Sequence, residues 1–365
     1  MRIRVAIAGV GNCASSLIQG IHYYRLATSL PPGIMHPKVG DWAPGDIDIV
    51  TAFDVDARKV GRPVHEAIFS EPNCAQVFHP DLPVGSAEVK MGPVYDGVAS
   101  HLVKFPENQR ICLSDEQPVN VVEELKRAKA EVLVCYLPVG AEEAVRHYAS
   151  ACLEAGVAFV NCVPVFIASD PAWAEKFRQA GVPIVGDDVK SQVGATIVHR
   201  SLARLFSDRG VELNRTYQLN TGGNTDFLNM LAHERLDSKK ISKTQSVQSQ
   251  LPVPLPPDQI HIGPSDYVPW QKDNKVAFIR LEGAGFGGVP LEIECRLSVQ
   301  DSPNSGGVVI DAIRCAKLAL DRKVSGPLEA TSAYYMKSPP LQMVDHEARQ
   351  KNLDFIQGKH PVPAV

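Results

Sequence analysis

The amino-terminal half of the chain alternates short apolar runs with amphipathic stretches. Ile3 to Val10 is a continuous apolar run rich in β-branched residues, which is typical of a strand buried on both faces. Residues 47–55 form a second such run, and residues 13–26 have helical character. This alternation continues to residue 188 and predicts an open parallel sheet flanked by helices. We also predict helices at 56–69, 119–130, 142–155 and from 171 onward, and strands at 131–137, 157–163 and 182–185.

The pattern changes after about residue 210. Residues 291–300 alternate strictly between apolar and polar positions, which predicts a half-exposed antiparallel strand. Residues 276–281 are the expected neighbouring strand, joined to it through the glycine-rich turn at 283–288. Residues 306–320 are helical again, and we expect them to return to the first sheet. The sequence therefore predicts a second domain, with an antiparallel sheet, inserted into the first.

Composition and charge narrow the function. Lys and Arg number 37 and Asp and Glu 41, so the net charge of −4 gives no basic excess of the kind that nucleic-acid binders show. The chain has no apolar run of about 18 residues, so we expect no membrane span. The eight cysteines form no CxxC pair, and several lie in apolar runs, which favours a reducing compartment over a zinc site. We expect a cytoplasmic protein that binds neither nucleic acid nor membrane.

The first strand ends in a glycine-rich sequence. Residues 9–14 fit the pattern GxGxxA, with Gly9, Gly11, Asn12 and Cys13 between a strand and a helix. Glycines allow close approach of a pyrophosphate, and the helix N-terminus offers free N–H groups. The second strand ends at Asp54, further on than the usual gap of about 20 residues, because a Pro- and Gly-rich insertion intervenes. We predict an NAD site; the alternative is a tight turn with Asp54 as a helix cap.

A lysine cluster is the second candidate feature. In a helix, Lys239 and Lys243 would be i,i+4 neighbours, and like charges at that spacing cost roughly 0.2–0.5 kcal/mol unless an anion lies between them. The alternative is a solvated basic surface. Residues 187–192 follow a parallel strand and should lie at the ligand-binding edge of the sheet, although one aspartate of the pair there could simply cap a helix.

Six segments in the correct order resemble the myo-inositol-1-phosphate synthase family in its short prokaryotic form. The resemblance covers nearly the whole chain and is weakest at residues 70–112 and in the C-terminal tail. The segments are GVGNCASSLIQG (9–20), GDDVKSQVGAT (186–196), GGNTDFLNM (222–230), SKKISKTQ (238–245), DSPNS (301–305) and MKSPP (336–340).

The resemblance implies an isomerase that converts D-glucose 6-phosphate to 1D-myo-inositol 3-phosphate without net oxidation, for inositol and phospholipid biosynthesis. C5 is oxidised by NAD, the C6 hydrogen is removed to give an enolate, C6 attacks the C1 aldehyde, and the hydride returns to C5. Each step places negative charge on an oxygen, so the site needs fixed cations and proton donors. The resemblance also implies a homotetramer. It leaves open whether a monovalent or divalent cation takes part.

The family's catalytic lysines fall, by motif position, on Lys239, Lys243, Lys275 and Lys337. We hypothesise that Lys239 stabilises the C1 alkoxide and that Lys337 serves the C5 hydroxyl. Lys243 and Lys275 would hold the phosphate or the enolate.

Polar residues complete the set that the resemblance implies. Ser191 and Gln192 would donate to phosphate oxygens, and Asp188 and Asp301 would orient the lysines. Eukaryotic members have Gly-Gln after the serine where this chain has Gln-Val, so the backbone N–H groups that reach the phosphate stay open. Substrate and nicotinamide would meet at the remaining loop, through Asn224 and Asp226.

The predicted fold class is α/β, with a Rossmann-type parallel sheet and an inserted α+β domain. We place the NAD-binding domain at residues 1–200 plus 305–365 and the catalytic and tetramerisation domain at 201–304. The first alternative is an ordinary NAD-dependent dehydrogenase of the semialdehyde-dehydrogenase kind. That chemistry needs a reactive loop cysteine, whereas Cys135 and Cys162 lie in predicted strands. The second alternative is a catalytically inactive NAD-binding sensor, which would not need the lysine set.

Overall fold

Short buried strands and longer exposed ones divide the chain between two sheets. The structure, a computed structural model, describes residues 2–29, 31–232 and 237–359, with only the backbone at 237–240 and 264–265. The strands are β1 (Ile3–Ala8), β2 (Ile47–Asp54), β3 (Val89–Met91), β4 (Val132–Cys135), β5 (Ala158–Asn161), β6 (Pro183–Val185), β7 (Glu212–Gly222), β8 (Ile260–Tyr267), β9 (Asn274–Ala284), β10 (Pro290–Gln300) and β11 (Gly326–Pro327).

Helices cover both sheets. They are α1 (Asn12–Leu26), α2 (Val64–Ala67), α3 (Val121–Arg127), α4 (Glu142–Ala155), α5 (Pro171–Gln179), α6 (Ala195–Asp208), α7 (Thr225–Asn229), α8 (Asp237–Gln248), α9 (Asp301–Asp321), α10 (Glu329–Tyr335) and α11 (Asp345–Gln357). In the described part of the chain, none of the helices is both long enough and apolar enough to cross a bilayer.

The larger sheet is parallel, in the order β11-β6-β5-β4-β1-β2-β3, as the alternation of patterns predicts. Alternate side chains of β1 enter two cores: Ile3, Val5 and Ile7 face one, and Ala6 and Ala8 face the other. Helices α1 and α9 cover the first side, and α3, α4 and α5 cover the second. Burial on both sides explains why the strand is apolar at nearly every position.

The smaller sheet has the order β10-β9-β7-β8. β10 pairs with β9 antiparallel, as predicted, and β9 pairs with β7 antiparallel, but β7 and β8 are parallel. The expectation of a purely antiparallel sheet is therefore wrong, and the sheet is mixed. The long connection through α7 and α8 makes the parallel pair feasible, because parallel strands need a crossover of a dozen or more residues.

The predicted helix at 56–69 is mostly a turn. Only Val64–Ala67 is α-helical, and Pro63 precedes it. The carboxylate of Asp56 accepts a hydrogen bond from the backbone N–H of Arg58, which closes a local turn instead of a helix. Gly61 then has φ of +79°, outside the helical region. These local features override the apolar spacing.

Other predicted helix ends are confirmed. α4 ends at Ala155, and Gly156 follows in the left-handed region, with φ of +71°. Asp170 caps α5 by accepting from the backbone N–H groups of Ala172 and Trp173. α9 begins at Asp301 and packs on α1, so the chain does return to the parallel sheet after the smaller one.

Candidate active site

A cavity lies at the carboxyl edge of the parallel sheet, where that edge faces α7, α8 and β9. Open α/β sheets bind ligands at this edge because the loops after the strands converge there. The first sheet contributes residues after β1, β2, β4 and β6, and the smaller sheet with its helices contributes the rest. Candidate site residues that line it are Gly9, Gly11, Asn12, Cys13, Asp54, Asp188, Ser191, Asn224, Asp226, Lys243, Lys275, Asp301 and Lys337.

The glycine loop after β1 is built for close approach. Gly9 has φ of +93°, and a Cβ there would lie 2.7 Å from the carbonyl oxygen of Tyr136. A Cβ on Gly11 would meet no atom within 4 Å, because that face of Gly11 opens into the cavity. Gly11 also precedes α1 without a side-chain cap, so the first N–H groups of the helix remain available to an anion. These features fit a dinucleotide pyrophosphate.

Asp54 closes the same loop from the end of β2. One carboxylate oxygen accepts from the backbone N–H of Val10 at 2.7 Å, and the other accepts from Val55 and Asp56. The carboxylate is therefore fixed beside the glycine loop, at the position that takes ribose hydroxyls in dinucleotide folds. Asp54 does not cap a regular helix, because a turn follows it.

A strap at residues 72–79 packs against the start of α1. The side-chain oxygen of Asn12 accepts from the backbone N–H groups of Cys74 and Ala75. Lys59 and Asn73 both donate to the carbonyl of Val10, within the glycine loop. Neither Lys59 nor Asn73 could be predicted as a contributor to this loop. Residues 56–69 have a helical pattern, and residues 70–112 have no regular pattern.

Lys337 and Asp188 form an ion pair at the cavity. The ammonium of Lys337 lies 2.7 Å from Oδ1 of Asp188, and the hydroxyl of Ser242 donates to Oδ2 at 2.7 Å. Asp188 thus connects the loop after β6 to helix α8 and to the segment after α10. The backbone N–H of Lys337 also donates to the carbonyl of Asp188, which fixes the lysine backbone beside its partner.

Asp187 has a different role from its neighbour. Its buried carboxylate accepts from the side chains of Asn161 and Ser169 and from the backbone N–H groups of Ile167, Ala168 and Ser169. Burial raises its pKa to about 6, although these hydrogen bonds work in the opposite direction. Asp187 organises the loop after β5. It does not belong to the described residues that line the cavity.

Lys275, on β9, pairs with Asp301 at the start of α9, with its ammonium 3.3 Å from Oδ1. Burial alone would lower the pKa of Lys275, but the carboxylates of Asp301 and Asp226 raise it above its ordinary value. Lys275 is therefore a cation at neutral pH. This pair brings together two predicted site residues that are 26 positions apart in the sequence.

Asp273 anchors the polar loop beside that pair. It accepts from the side chains of Asn224 and Ser302 and from the backbone N–H of Ser302. Asn224 in turn caps α7 through the N–H groups of Asp226 and Phe227. Burial and the neighbouring carboxylate of Asp301 raise the pKa of Asp273 to about 6. The isolated Asp273 carried no signal in the sequence.

Two predicted site residues are not among the described residues that line the cavity. The side-chain amide of Gln192 donates to the carbonyl of Gly33, and Gln192 is not among the described cavity residues, whereas its neighbour Ser191 is. Lys239 belongs to α8, but its side chain lies outside the described residues. Lys243, one turn later on α8, lines the cavity.

The cysteines and the acidic groups limit the chemistry. Cys135 ends β4 as predicted, but Cys162 follows β5 instead of lying within it, and it lines the cavity. Burial raises the pKa of Cys135 to about 12 and that of Cys162 well above its ordinary value, so neither is a thiolate nucleophile at neutral pH. Among the described residues, no group of three His, Cys, Asp or Glu side chains could hold a metal ion.

Besides Lys59, which is bound to the glycine loop, three of the described lysines place ammonium groups from separate elements around the cavity. Lys243 comes from α8, Lys275 from β9 and Lys337 from the segment after α10. Fixed cations in a partly buried cavity bind phosphate and stabilise oxyanions far better than they would in water. The arrangement suits reactions that develop negative charge on the oxygens of a phosphorylated substrate beside a dinucleotide.

Comparisons with known proteins agree with this geometry. Residues 194–302 match the family described as myo-inositol-1-phosphate synthase. A protein named inositol-3-phosphate synthase from Mycolicibacterium smegmatis is 57% identical over 363 residues, which cover 98% of each chain. The protein of that name from Corynebacterium glutamicum is 56% identical, over 97% of this chain and 98% of its own.

A solved structure gives the same result for the fold. The crystal structure of a myo-inositol-1-phosphate synthase-related protein from Thermotoga maritima matches with a TM-score of 0.83 at 26% identity, over 98% of this chain and 99% of that one. The similarity extends over nearly the full length of both chains and therefore covers the overall fold. The chain belongs to the myo-inositol-1-phosphate synthase family of isomerase-type enzymes.

Proposed function

We propose that this protein is an inositol-3-phosphate synthase that converts D-glucose 6-phosphate to 1D-myo-inositol 3-phosphate in a redox-neutral, NAD-dependent reaction. The observation that carries the proposal is the set of lysines, Lys243, Lys275 and Lys337, on the cavity that the glycine loop faces. An ordinary dehydrogenase needs one hydride acceptor and one acid–base group. An intramolecular aldol step additionally needs cations for the phosphate and for an oxyanion at each end of the sugar.

NAD is the cofactor that the glycine loop fits. Gly9, Gly11, Asn12 and Cys13 would surround the pyrophosphate, and Asp54 would accept hydrogen bonds from the adenosine ribose. A carboxylate there would repel the 2′-phosphate of NADP. Bound NAD would supply hydride removal from C5 and its later return.

Lys337 is proposed to act at the C5 oxygen. Its ammonium is held by Asp188 and would stabilise the negative charge on the C5 oxygen while the carboxylate of Asp188 accepts the hydroxyl proton. The pair would return that proton to the C5 oxygen at the end of the cycle. The hydroxyl of Ser242 on the second oxygen keeps the carboxylate oriented towards the lysine. Lys337 and Asp188 thus hold one proton close to the carbon that is oxidised and reduced.

The remaining lysines are proposed to act at the phosphate and at C1. Lys243 and Lys275, with Ser191 as a donor, would hold the phosphate or the enolate, whereas the side-chain amide of Gln192 is bound to Gly33. Asp301 holds the Lys275 ammonium in place. Lys239, one helical turn before Lys243, would stabilise the C1 alkoxide, as the family resemblance implies. Substrate and nicotinamide would meet at the α7 loop, through Asn224 and Asp226, and the resemblance leaves the cation requirement open.

The proposed domain division assigns residues 1–200 plus 305–365 to NAD binding and 201–304 to catalysis and assembly. Helix α6 spans the first of these boundaries, so the two parts share a continuous helix. We also propose a cytoplasmic homotetramer. The outer face of the smaller sheet is available for assembly, since Leu219 and Phe278 lie opposite each other there and are 44% and 43% exposed.

A single incubation tests the function. Purified protein is mixed with glucose 6-phosphate and NAD, and inositol phosphate is measured together with the absorbance of NADH. We expect inositol phosphate to accumulate with no net NADH. Steady NADH formation would instead establish a dehydrogenase, and NAD binding with no turnover of glucose 6-phosphate would favour the inactive sensor.

A further inference from the structure

The relative position of two cations at the cavity is not fixed by either sheet. Lys243 lies on helix α8, which packs with α6 and β8 of the smaller unit. Lys337 follows α10, at the edge of the parallel sheet. Both must reach one substrate. Ser242 on α8 already joins Lys337 through Asp188, and further contacts between α8 and the segment 336–345 complete the assembly of the site.

Arg200 makes those contacts. It lies on α6 and its side chain is fully buried. Its guanidinium donates to the carbonyl and the hydroxyl of Ser246 on α8 and to the hydroxyl of Ser249, which directly follows α8. It also donates to the carbonyl of Met343 and to both oxygens of Asp345, at 3.1 and 2.9 Å. One side chain therefore joins the helix of Lys243 to the segment that follows Lys337.

Asp345 also contacts Lys190, from the loop of Asp188, and burial lowers the pKa of this lysine to about 7. The ammonium of Lys190 lies 3.4 Å from Oδ1 of Asp345 and donates to the carbonyl of Ala333 at 2.7 Å. The backbone N–H of Lys190 donates to the carbonyl of Tyr335. Although burial raises the pKa of Asp345, the charges of Lys190 and Arg200 hold it below its ordinary value.

Removing this carboxylate would leave Arg200 buried without a counter-charge, next to Lys190. A buried charge that loses its partner is costly, so the local structure has to shift to rehydrate it. The groups that can move are those that Arg200 holds, namely Ser246 on α8 and Met343. Ser246 is three residues after Lys243, which is about 4.5 Å along the helix axis. A shift there changes the position of the catalytic ammonium.

We infer that Arg200 and Asp345 are positioning residues whose ion pair fixes helix α8 against the segment 336–345, so that Lys243 and Lys337 converge on the same substrate. Neither residue lines the cavity among the described residues, and neither contacts the groups that react. The inference rests on the proposed function, since it assigns a purpose to the convergence of these lysines. Misplacement of a reacting group by about 1 Å can reduce the rate about 100-fold.

The test compares Asp345→Asn with Glu124→Gln in the full-length protein at saturating NAD. Glu124 is the control because Arg127 also binds it with two hydrogen bonds, and it lies on α3, outside the described cavity lining. We expect Asp345→Asn to lower kcat about 10- to 100-fold, with NAD affinity unchanged. Glu124→Gln should keep the wild-type kcat and lower the unfolding temperature less than Asp345→Asn does, because the side chain of Arg127 is 66% exposed and stays hydrated.

Asp345→Glu separates positioning from stability and also serves if Asp345→Asn fails to fold. It restores the charge one methylene further out, so we expect wild-type stability with kcat between those of the wild type and Asp345→Asn. Wild-type kcat in Asp345→Asn, or in Asp345→Glu if only that variant folds, would overturn the inference while leaving the proposed function intact. An equal loss of kcat in Glu124→Gln would also overturn it. A wild-type protein that makes no inositol phosphate would overturn the proposed function and this inference with it.

Discussion

At the scale of single residues, Asp187 and Asp188 show how adjacent, identical side chains take different roles. Asp187 turns into the protein and accepts five hydrogen bonds, whereas Asp188, with φ of +62°, turns towards Lys337 and Ser242. The sequence left open whether the pair orients a lysine or caps a helix. In the structure, Asp188 pairs with Lys337, and Asp187 organises the loop after β5.

Replacing Lys337 with methionine tests the cation at C5. Methionine keeps the apolar stem but removes the charge, so we expect kcat to fall about 100- to 1,000-fold, as for loss of one preorganised oxyanion donor. NAD affinity measured by calorimetry should not change, because the contacts proposed for the pyrophosphate and the ribose come from Gly9, Gly11 and Asp54 and do not involve Lys337. Lys126→Met, on the exposed side of α3, is the control. Wild-type turnover in Lys337→Met would remove Lys337 from the mechanism.

The buried carboxylate of Asp273 predicts a pH effect on stability. Burial raises the pKa of Asp273 in the folded state to about 6, above its ordinary value of 3.8, so the folded state binds the proton more tightly than the unfolded state. The contribution of Asp273 to stability is therefore present below about pH 4 and is lost as the pH rises to about 6.

This effect is measured as the difference in unfolding free energy between the wild type and Asp273→Asn. As the pH rises from about 4 to about 6, the unfolding free energy of the wild type should decrease relative to that of the variant. Above about pH 6 the difference should stay constant, as followed by urea unfolding. Parallel stability curves for the two proteins across this range would show that Asp273 titrates normally.

At the scale of elements, the turn between β1 and α1 separates two uses of glycine. Gly9 needs its conformation for the fold, because its φ is +93° and a Cβ would meet backbone atoms of Tyr136. Gly11 has an ordinary φ of −89° and open space beside it. The two glycines of one motif are therefore required for different physical reasons.

Two alanine variants separate these reasons. Gly9→Ala should lose about 1–3 kcal/mol of stability through backbone strain. Gly11→Ala should keep the wild-type unfolding temperature but weaken NAD binding, because the methyl group occupies the space through which the pyrophosphate approaches. Calorimetry and thermal unfolding measure both. Wild-type NAD affinity in Gly11→Ala would move the cofactor away from this loop.

At the scale of the whole molecule, the smaller sheet presents an exposed face with Leu219 opposite Phe278. We expect light scattering to give about four times the 39.7 kDa of one chain. Phe278→Asp would place a charge within that face and should produce smaller species, whereas Leu26→Asp, which is 71% exposed on α1, should not. An unchanged mass for Phe278→Asp would direct the search for the interface to another surface.

The parallel sheet, the order of its main elements and the family can all be predicted from the amino-acid sequence alone. These follow from local signals: continuous apolar runs in β1 and β2, the glycine loop, the glycine after α4 and the capping aspartate of α5. Each depends on a few adjacent residues, whose steric and hydrogen-bonding preferences act without the rest of the fold. The resemblance also selected side chains that do line one cavity, including Lys243, Lys275 and Lys337.

Contacts between residues that are distant in the sequence are known only from the folded structure. The parallel pairing of β7 with β8, the burial of Asp273 and the joining of α8 to residue 345 by Arg200 depend on segments that lie up to 145 positions apart. No local pattern records such a contact, because a buried arginine and an exposed one have the same helical spacing. The free energy of a buried charge depends on the partners that the fold supplies, and so does its role.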